Sequence, residues 1–167
     1  TQPNTLGIFE KDILEISKLI HDVDGLMYMD GANLNALVGY VKPGHMGFDI
    51  VHINLHKTFS TPHGGGGPGA GPIAVVNKLI NYLPTPLINK VKDRFVQDYN
   101  VPDSIGRVHA FNGNFGILVR AYSYIKTLGK DGLLAMTKNA ILNANYLKKK
   151  LESKYLVPYS EGTMHEF

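Results

Sequence analysis

The sequence predicts an α/β domain with a largely parallel sheet, and three observations support this fold class. Residues 10–23 carry apolar side chains at helical spacing, and a short apolar segment at residues 25–30 follows them. Two further apolar segments, residues 49–56 and 72–76, are each preceded by a stretch rich in glycine and proline. A helix followed by short strands that are joined through long connections is the pattern of α/β folds.

The first helix and the first two strands place polar residues at one edge of the predicted sheet. The apolar stripe of the helix consists of Ile13, Leu14, Ile16, Leu19 and Ile20. The first strand ends at Asp30, and the second runs to His56, directly before Lys57. The carboxyl ends of parallel strands meet at the edge where ligands bind in this fold class, so we expect Asp30 and Lys57 to lie close together.

The second half of the chain is predicted to contain two helices. Residues 78–107 are irregular, and helical patterns return at residues 114–129 and 131–151. Asp131 is the predicted N-cap of the second helix. Its predicted apolar face comprises Leu134, Ile141, Ala144, Leu147 and Leu151.

The composition excludes several functional classes. The 167 residues are 44% apolar and 19% charged, as in ordinary globular domains. A net charge of +3 suits an anionic ligand, but no basic stripe interleaved with aromatic residues indicates nucleic acid. The absence of cysteine excludes disulfides and thiolate chemistry. No apolar run reaches the roughly 20 residues of a membrane span, and no signal-peptide pattern is present, so we expect a cytoplasmic protein that binds no membrane. Both ends look cut, which predicts a piece of a longer polypeptide.

The segment NLHKTFSTPHGGGGPGAGP, residues 54–72, places a lysine between a predicted strand and a glycine run. An amine that forms Schiff bases must spend time deprotonated, which requires partial burial or nearby positive charge. We expect the apolar strand to bury Lys57 in part and the glycine backbone to come close to it. The alternative is a lysine that extends into solvent.

Asp30 and the glycine run each allow two interpretations. If Asp30 faces Lys57, it would pair with a protonated pyridine nitrogen, and the small Gly31 and Ala32 would leave room for a flat ring. Otherwise Asp30 is a turn or cap residue. The glycine run lacks the Gly-Lys-Ser/Thr ending of a nucleotide loop and opens no helix, so it is either a flexible connection or a mobile lid.

The histidines raise the possibility of a zinc site. His52 and His56 stand four apart on the predicted second strand and would share one face, with His45 or His63 as a third ligand. No carboxylate stands at ligand spacing and a lysine follows His56, so we expect no metal. A hydrogen bond from His56 to a phosphate oxygen is favoured instead.

The segments NLHKTFSTPHGGGGPGAGPIAV and YMDGANLNAL resemble the P-protein of the glycine cleavage system, a glycine dehydrogenase (decarboxylating), and look closest to subunit 2 of its two-subunit prokaryotic form. The flanking QPNTLGIFE and LNANYLKKKL agree with this resemblance. It implies the aspartate-aminotransferase-like fold of type I pyridoxal-phosphate enzymes. Residues 1–112 would be the second half of the large domain, residues 113–153 linking helices and residues 154–167 the start of the small C-terminal domain.

The resemblance also implies residue roles. Lys57 matches the lysine that binds pyridoxal 5'-phosphate covalently, and Asp30 matches the carboxylate at its pyridine nitrogen. Ala32 matches the small residue under the ring, and His56 the histidine beside the lysine that reaches the phosphate. A loop at the mouth of the site would comprise Thr61, His63, Gly64, Gly65, Gly66 and Gly67. The residues expected near the phenolic oxygen of the cofactor are Asn4 and Thr5.

The implied reaction is decarboxylation of glycine with transfer of the aminomethyl group to the lipoyl arm of the H-protein. The implied partners are glycine, lipoylated H-protein and a partner P-protein subunit. Three alternatives remain open: another pyridoxal-phosphate enzyme of the same fold, such as an aminotransferase, a lyase or a selenocysteine-type synthase; an inactive partner subunit; and a zinc hydrolase. The presence of Lys57, Asp30 and His56 together argues against an inactive subunit.

Overall fold

The computed structural model describes residues 1–109 and 112–167. Three helices and five strands make up the regular structure of these described residues. The helices are α1 (Ile13–His21), α2 (Leu55–Thr58) and α3 (Phe115–Leu151), and the strands are β1 (Tyr28–Asp30), β2 (Ile50–His52), β3 (Ile73–Val75), β4 (Leu87–Val91) and β5 (Arg94–Asp98). Short 3-10 turns lie at Gly31–Ala36, Pro43–Met46, Gly64–Gly66 and Asn77–Tyr82.

The described strands form a three-stranded sheet in the order β1-β2-β3 and a separate β4-β5 hairpin. β1 and β2 are parallel, with Asp30 opposite His52, whereas β3 runs antiparallel to β2. The predicted α/β class is confirmed, but the expectation of a largely parallel sheet is wrong for β3. A parallel third strand would need a crossover connection, usually a full helix, and residues 53–72 contain only short turns.

The second strand is shorter than predicted, because the chain leaves the sheet after His52 and forms the single helical turn α2. Leu55, Thr58 and Phe59 are all buried. A helical turn places residues three and four apart on one face, whereas a strand would alternate them. The need to bury these three side chains therefore favours the turn, and Lys57 lies in α2 instead of at a strand end.

Helix α1 buries a different face from the predicted stripe. Ile13 and Ser17 are buried, whereas Leu14 is 63% and Leu19 62% exposed. The Ser17 hydroxyl donates to the Gly47 carbonyl oxygen at 3.3 Å. A Cβ on Gly47, whose φ is +86°, would lie 1.8 Å from Ser17 Oγ. Because Gly47 packs directly against Ser17, the face of α1 that carries Ser17 is the buried one.

Helix α3 is interrupted at Gly129, whose φ of +59° and ψ of −168° are not helical. The prediction of two helices at residues 114–129 and 131–151 is therefore confirmed as two helical segments. Ala144 is buried as predicted, but Leu147 is 51% exposed. Thr137 is fully buried instead, and its hydroxyl donates to the Val38 carbonyl oxygen at 2.9 Å. That hydrogen bond ties α3 to the loop that follows Gly31–Ala36.

The last residues of the chain pair with the first ones. Ile8 and Thr163 form an antiparallel bridge, and the Met164 N–H donates to the Gly7 carbonyl oxygen at 2.7 Å. The Asn145 side-chain amide donates to the Thr163 carbonyl oxygen at 3.0 Å, which anchors this pairing to α3. The predicted division at residues 112 and 153 stays a prediction.

One apolar core lies beneath the sheet edge that carries Asp30. Its buried members are Ile13, Met29, Leu34, Leu37, Met46, Phe48, Leu55, Phe59, Ile117 and Ala121. Within the described ranges, no helix is both long enough and apolar enough to cross a membrane.

Candidate active site

The parallel pairing of β1 and β2 brings the predicted site residues to one edge of the sheet. Asp30 ends β1 directly opposite His52, which ends β2. The turn Gly31–Ala36 follows Asp30, and α2, which carries Lys57, packs against this turn. Asp30 directly precedes the turn that α2 contacts, and the closeness of its side chain to Lys57 stays a prediction.

Gly31 has a packing role in addition to the one predicted. A Cβ at this position would lie 2.0 Å from the His52 carbonyl oxygen, so no larger residue fits beside β2. The glycine thus permits the close approach of the turn to β2, and its role in leaving room for a ring stays a prediction. Ala32, which is half-buried, donates its N–H to Asp30 Oδ1 at 2.8 Å. Asp30 therefore caps the turn, and this role is compatible with a second contact.

The Asp30 carboxylate also contacts an imidazole. His52 Nε2 lies 3.2 Å from Asp30 Oδ1, and the side chain of Asp30 remains 47% exposed. The same His52 nitrogen lies 3.0 Å from Asn54 Oδ1, and His52 Nδ1 lies 2.5 Å from the Tyr28 hydroxyl oxygen. An accessible carboxylate with one oxygen engaged is suited to bind a protonated ring nitrogen.

Lys57 is exposed, so the expectation that the apolar strand buries it is wrong. The buried face of α2 is occupied by Leu55 and Thr58, with Phe59 directly after the helix, and this leaves Lys57 on the opposite side. The backbone N–H of Lys57 donates to the Asn54 carbonyl oxygen at 3.0 Å. Its amine is thus accessible to a small aldehyde.

His56 carries an unused hydrogen-bonding atom. Its Nδ1 is buried and has no hydrogen-bond partner among the residues that the structure describes. Its ring lies 4.7 Å from the His63 ring, at an interplanar angle of 83°. Burial, followed by the positive charges of His63 and Lys57, lowers the pKa of His56. A neutral imidazole with a free ring nitrogen needs a ligand or water as a partner.

A cavity of about 310 Å³ adjoins His56. Its lining consists of Asn54, His56, His63, Gly66, Gly67, Gly69, Ala70 and Gly71. Lys57 and Asp30 are not part of this lining. The cavity therefore offers backbone and imidazole groups to an anion.

The wall of the cavity depends on glycine conformations. Gly64, Gly65 and Gly66 all have positive φ, at +73°, +55° and +93°. His63 Nδ1 accepts a hydrogen bond from the Gly65 N–H at 3.1 Å, which holds the turn. A Cβ on Gly65 or Gly66 would meet nothing within 4 Å, so backbone conformation rather than space requires glycine there.

Thr61 lies below the surface, although it was expected in a loop at the mouth. It is 8% exposed, and its hydroxyl has no hydrogen-bond partner within the described residues. The hydroxyl of Thr58, which is 3% exposed, is in the same situation. In the sequence, Thr58 is distinguished only by its place three residues after Leu55.

The N-terminal loop docks on the turn that follows Asp30. Asn33 donates its side-chain amide to the carbonyl oxygens of Pro3 and Asn4, at 3.1 and 3.2 Å. Asn4 Oδ1 accepts the N–H groups of Leu6 and Ile8, while Thr5 is exposed. Asn4 and Thr5 therefore lie close to the candidate site through Asn33, a residue that the sequence did not reveal.

The zinc hypothesis loses its geometric basis. His52 ends β2 and His56 lies in α2, so the two do not share a strand face as predicted. Over residues 1–109 and 112–167, no group of three or more His, Asp or Glu side chains is placed to hold a metal ion.

A solved structure identifies the fold. The chain is similar to the crystal structure of the glycine decarboxylase (P-protein) of the glycine cleavage system in an inhibitor-bound form, with a TM-score of 0.72 and 23% identity. The match covers 98% of this chain and 39% of the solved one. The predicted fold class, the aspartate-aminotransferase-like type I fold, is confirmed.

Curated relatives identify the particular protein that the chain resembles. It is 58% identical over 167 residues to the probable glycine dehydrogenase (decarboxylating) subunit 2 of Listeria monocytogenes, a match that covers all of this chain and 34% of the relative. The corresponding proteins of Staphylococcus epidermidis and Chloroherpeton thalassium are 56% and 58% identical to this chain, which covers 33% and 35% of their lengths. No family model matches. The resemblance to subunit 2 is confirmed, and the chain spans about a third of the length of these relatives.

Proposed function

We propose that this chain forms part of a pyridoxal-phosphate-dependent glycine decarboxylase that releases CO2 and transfers the aminomethyl group of glycine to the lipoyl arm of the H-protein. The observation that carries the proposal is the 58% identity over the whole chain to a probable glycine dehydrogenase (decarboxylating) subunit 2. Because that relative is about three times as long, the activity and its partners belong to the longer protein. Those partners are glycine, lipoylated H-protein and a partner P-protein subunit.

The residues at the sheet edge fit the proposed cofactor. Pyridoxal 5'-phosphate needs an amine for its aldehyde, a carboxylate for its ring nitrogen and donors for its phosphate. Lys57 offers an exposed amine, Asp30 a half-exposed carboxylate, and His56 a buried Nδ1 without a described partner beside a cavity of about 310 Å³. Bound there, the cofactor would supply the electron sink for the carbanion that remains after CO2 departs.

Each side chain has a distinct task in this proposal. Lys57 would hold the cofactor covalently and release it to the amine of glycine, which frees the lysine amine. Asp30 would keep the proton on the pyridine nitrogen through its second oxygen, and Ala32 would be the small residue under the ring. His56, whose lowered pKa keeps it neutral at neutral pH, donates from a ring N–H to a phosphate oxygen.

The glycine loop is proposed to admit the lipoyl arm. Gly64–Gly66 and Gly67 are exposed, and one side-chain contact, from His63, holds the turn. A loop whose backbone conformations only glycine adopts freely can reshape at little cost. We assign Thr61 to its buried base, and Asn4 and Thr5 to the side of the site next to the phenolic oxygen.

Carboxyl exchange tests the reaction. The longer protein that contains this chain is incubated with the cofactor, glycine, labelled bicarbonate and lipoylated H-protein, and label in the glycine carboxyl group is counted. The proposal predicts exchange that requires the cofactor and is lost in Lys57→Ala. Conversion of the cofactor to its amine form without any exchange would indicate an aminotransferase and contradict the proposal.

A further inference from the structure

His52 has no role in the function proposed above, yet its ring contacts three polar side chains, those of Tyr28, Asp30 and Asn54. Its Nε2 lies 3.2 Å from Asp30 Oδ1, and its Nδ1 lies 2.5 Å from the Tyr28 hydroxyl oxygen. We propose that His52, held by Tyr28, is a positioning residue that fixes the Asp30 carboxylate toward the ring nitrogen of the cofactor. This inference rests on the pyridoxal-phosphate function proposed above.

The register of the sheet produces this arrangement. Tyr28 and Asp30 stand two apart on β1, so their side chains leave the same face of the strand. His52 lies directly opposite Asp30 on the parallel β2. The imidazole therefore comes between the hydroxyl and the carboxylate, and its centroid lies 5.7 Å from that of the Tyr28 ring.

The partners of the two ring nitrogens define the tautomer of His52. Nε2 has two oxygen acceptors, Asp30 Oδ1 at 3.2 Å and Asn54 Oδ1 at 3.0 Å. Nδ1 has one partner, the Tyr28 hydroxyl, which is able to donate. A neutral imidazole carries a single N–H. The proton therefore belongs on Nε2, which donates to Asn54 Oδ1 and faces Asp30 Oδ1 at 3.2 Å, while Nδ1 accepts from Tyr28.

This tautomer leaves one oxygen of Asp30 for a ligand. Both described contacts of the carboxylate, from His52 and from the Ala32 N–H at 2.8 Å, are made by Oδ1. Oδ2 has none of these contacts and remains available to accept a hydrogen bond from a ligand. A carboxylate held by the Ala32 N–H and bordered by the His52 imidazole presents Oδ2 to a protonated ring nitrogen more consistently than a freely rotating one, because less freedom is lost on binding.

The tautomer is tested first, without cofactor. Nitrogen NMR of the isotopically labelled chain, at about pH 8, distinguishes Nε2–H from Nδ1–H at His52. The proposal predicts Nε2–H in the unaltered chain and a mixture of tautomers in Tyr28→Phe, which removes the donor to Nδ1. An Nδ1–H tautomer in the unaltered chain would overturn the proposal whatever the function.

The second test reports on the ring nitrogen itself. Pyridoxal 5'-phosphate labelled with nitrogen-15 in its ring is bound to the chain, and its chemical shift gives the ratio of protonated to neutral nitrogen. His52→Leu should lower that ratio roughly 3- to 10-fold, the size of one hydrogen bond. His52→Gln retains a donor toward Asp30 and should restore most of the ratio. His45→Leu, a change at an exposed histidine in another turn, is the matched control.

The outcomes separate this inference from the function on which it rests. Circular dichroism first shows that each variant is folded. An unchanged ratio in His52→Leu, with cofactor still attached to Lys57, overturns the positioning role and leaves the proposed function intact. Failure of the unaltered chain to attach cofactor at Lys57 overturns both. A purely structural His52 would change the unfolding midpoint of the variants and not the nitrogen shift.

Discussion

Asp49 is a buried carboxylate that ties three parts of the fold together. Its Oδ2 accepts the Met27 N–H at 2.9 Å and lies 2.8 Å from His21 Nε2 of α1, and its Oδ1 lies 3.0 Å from Lys78 Nζ. Burial raises the pKa of Asp49, but these hydrogen bonds and the charge of Lys78 outweigh burial and lower it to about 2. We predict that Asp49→Asn destabilises the chain in a pH-dependent way.

The magnitude follows from the shift. A pKa lowered from 3.8 to about 2 corresponds, at about 1.4 kcal/mol per unit, to roughly 2 kcal/mol of folding stability. Because the folded-state pKa is depressed, this contribution is complete above the ordinary carboxyl pKa near 4 and is lost as pH falls through about 2. Because the side chains of His21 and Lys78 are partly exposed, solvent screens their interactions with Asp49, and roughly 2 kcal/mol is an upper value for the folding stability.

Urea unfolding at several pH values measures this contribution. The free energies of unfolding of the unaltered chain and Asp49→Asn should differ by roughly 2 kcal/mol near pH 7, and the gap should narrow toward pH 2. Asp103→Asn, at an exposed position, is the control and should change little. A gap of the same size at both ends of the pH range would refute the reasoning, because it would show that charge is not what Asp49 contributes.

Three further changes test the fold and the loop. Gly31→Ala should lower the free energy of unfolding, measured by thermal unfolding, by roughly 1–3 kcal/mol, since its Cβ would lie 2.0 Å from a β2 carbonyl oxygen. Gly44→Ala is the control and should be nearly neutral, because the space around Gly44 is open. Equal effects of the two substitutions would contradict the packing of Gly31 against β2. Thr137→Val removes the buried hydroxyl that donates to Val38 and should cost about 1–2 kcal/mol in urea unfolding; no loss would show that this bond contributes little. Gly65→Pro combined with Gly66→Pro should reduce H-protein-dependent exchange more than cofactor attachment, and equal losses would argue against a lid.

The sheet edge that carries Asp30 could be predicted because it depends only on local apolar segments and on their parallel order. Two short apolar strands that follow one another in parallel meet at one edge, and the structure has this parallel pairing, although the second strand ends at His52 and not directly before Lys57. The break at Gly129 was likewise predicted from the change of pattern between residues 114–129 and 131–151.

The features that the sequence did not predict depend on contacts distant along the chain. Ser17 is buried because Gly47, thirty residues later, comes within contact of it. The exposure of Lys57 follows from the helical turn α2, and a short apolar run does not distinguish such a turn from a strand continuing past His52. His52 was considered only as a metal ligand, because its contacts with Tyr28 and Asp30 exist only once β1 and β2 are in register.

The most direct test of the central claim is to trap the cofactor on the chain. Pyridoxal 5'-phosphate is added, the complex is reduced with borohydride and digested, and the modified peptide is mapped by mass. The account predicts a pyridoxyl group on Lys57 and on no other lysine, and its loss in Lys57→Arg. Label scattered over the exposed lysines, or no label at all, would contradict it.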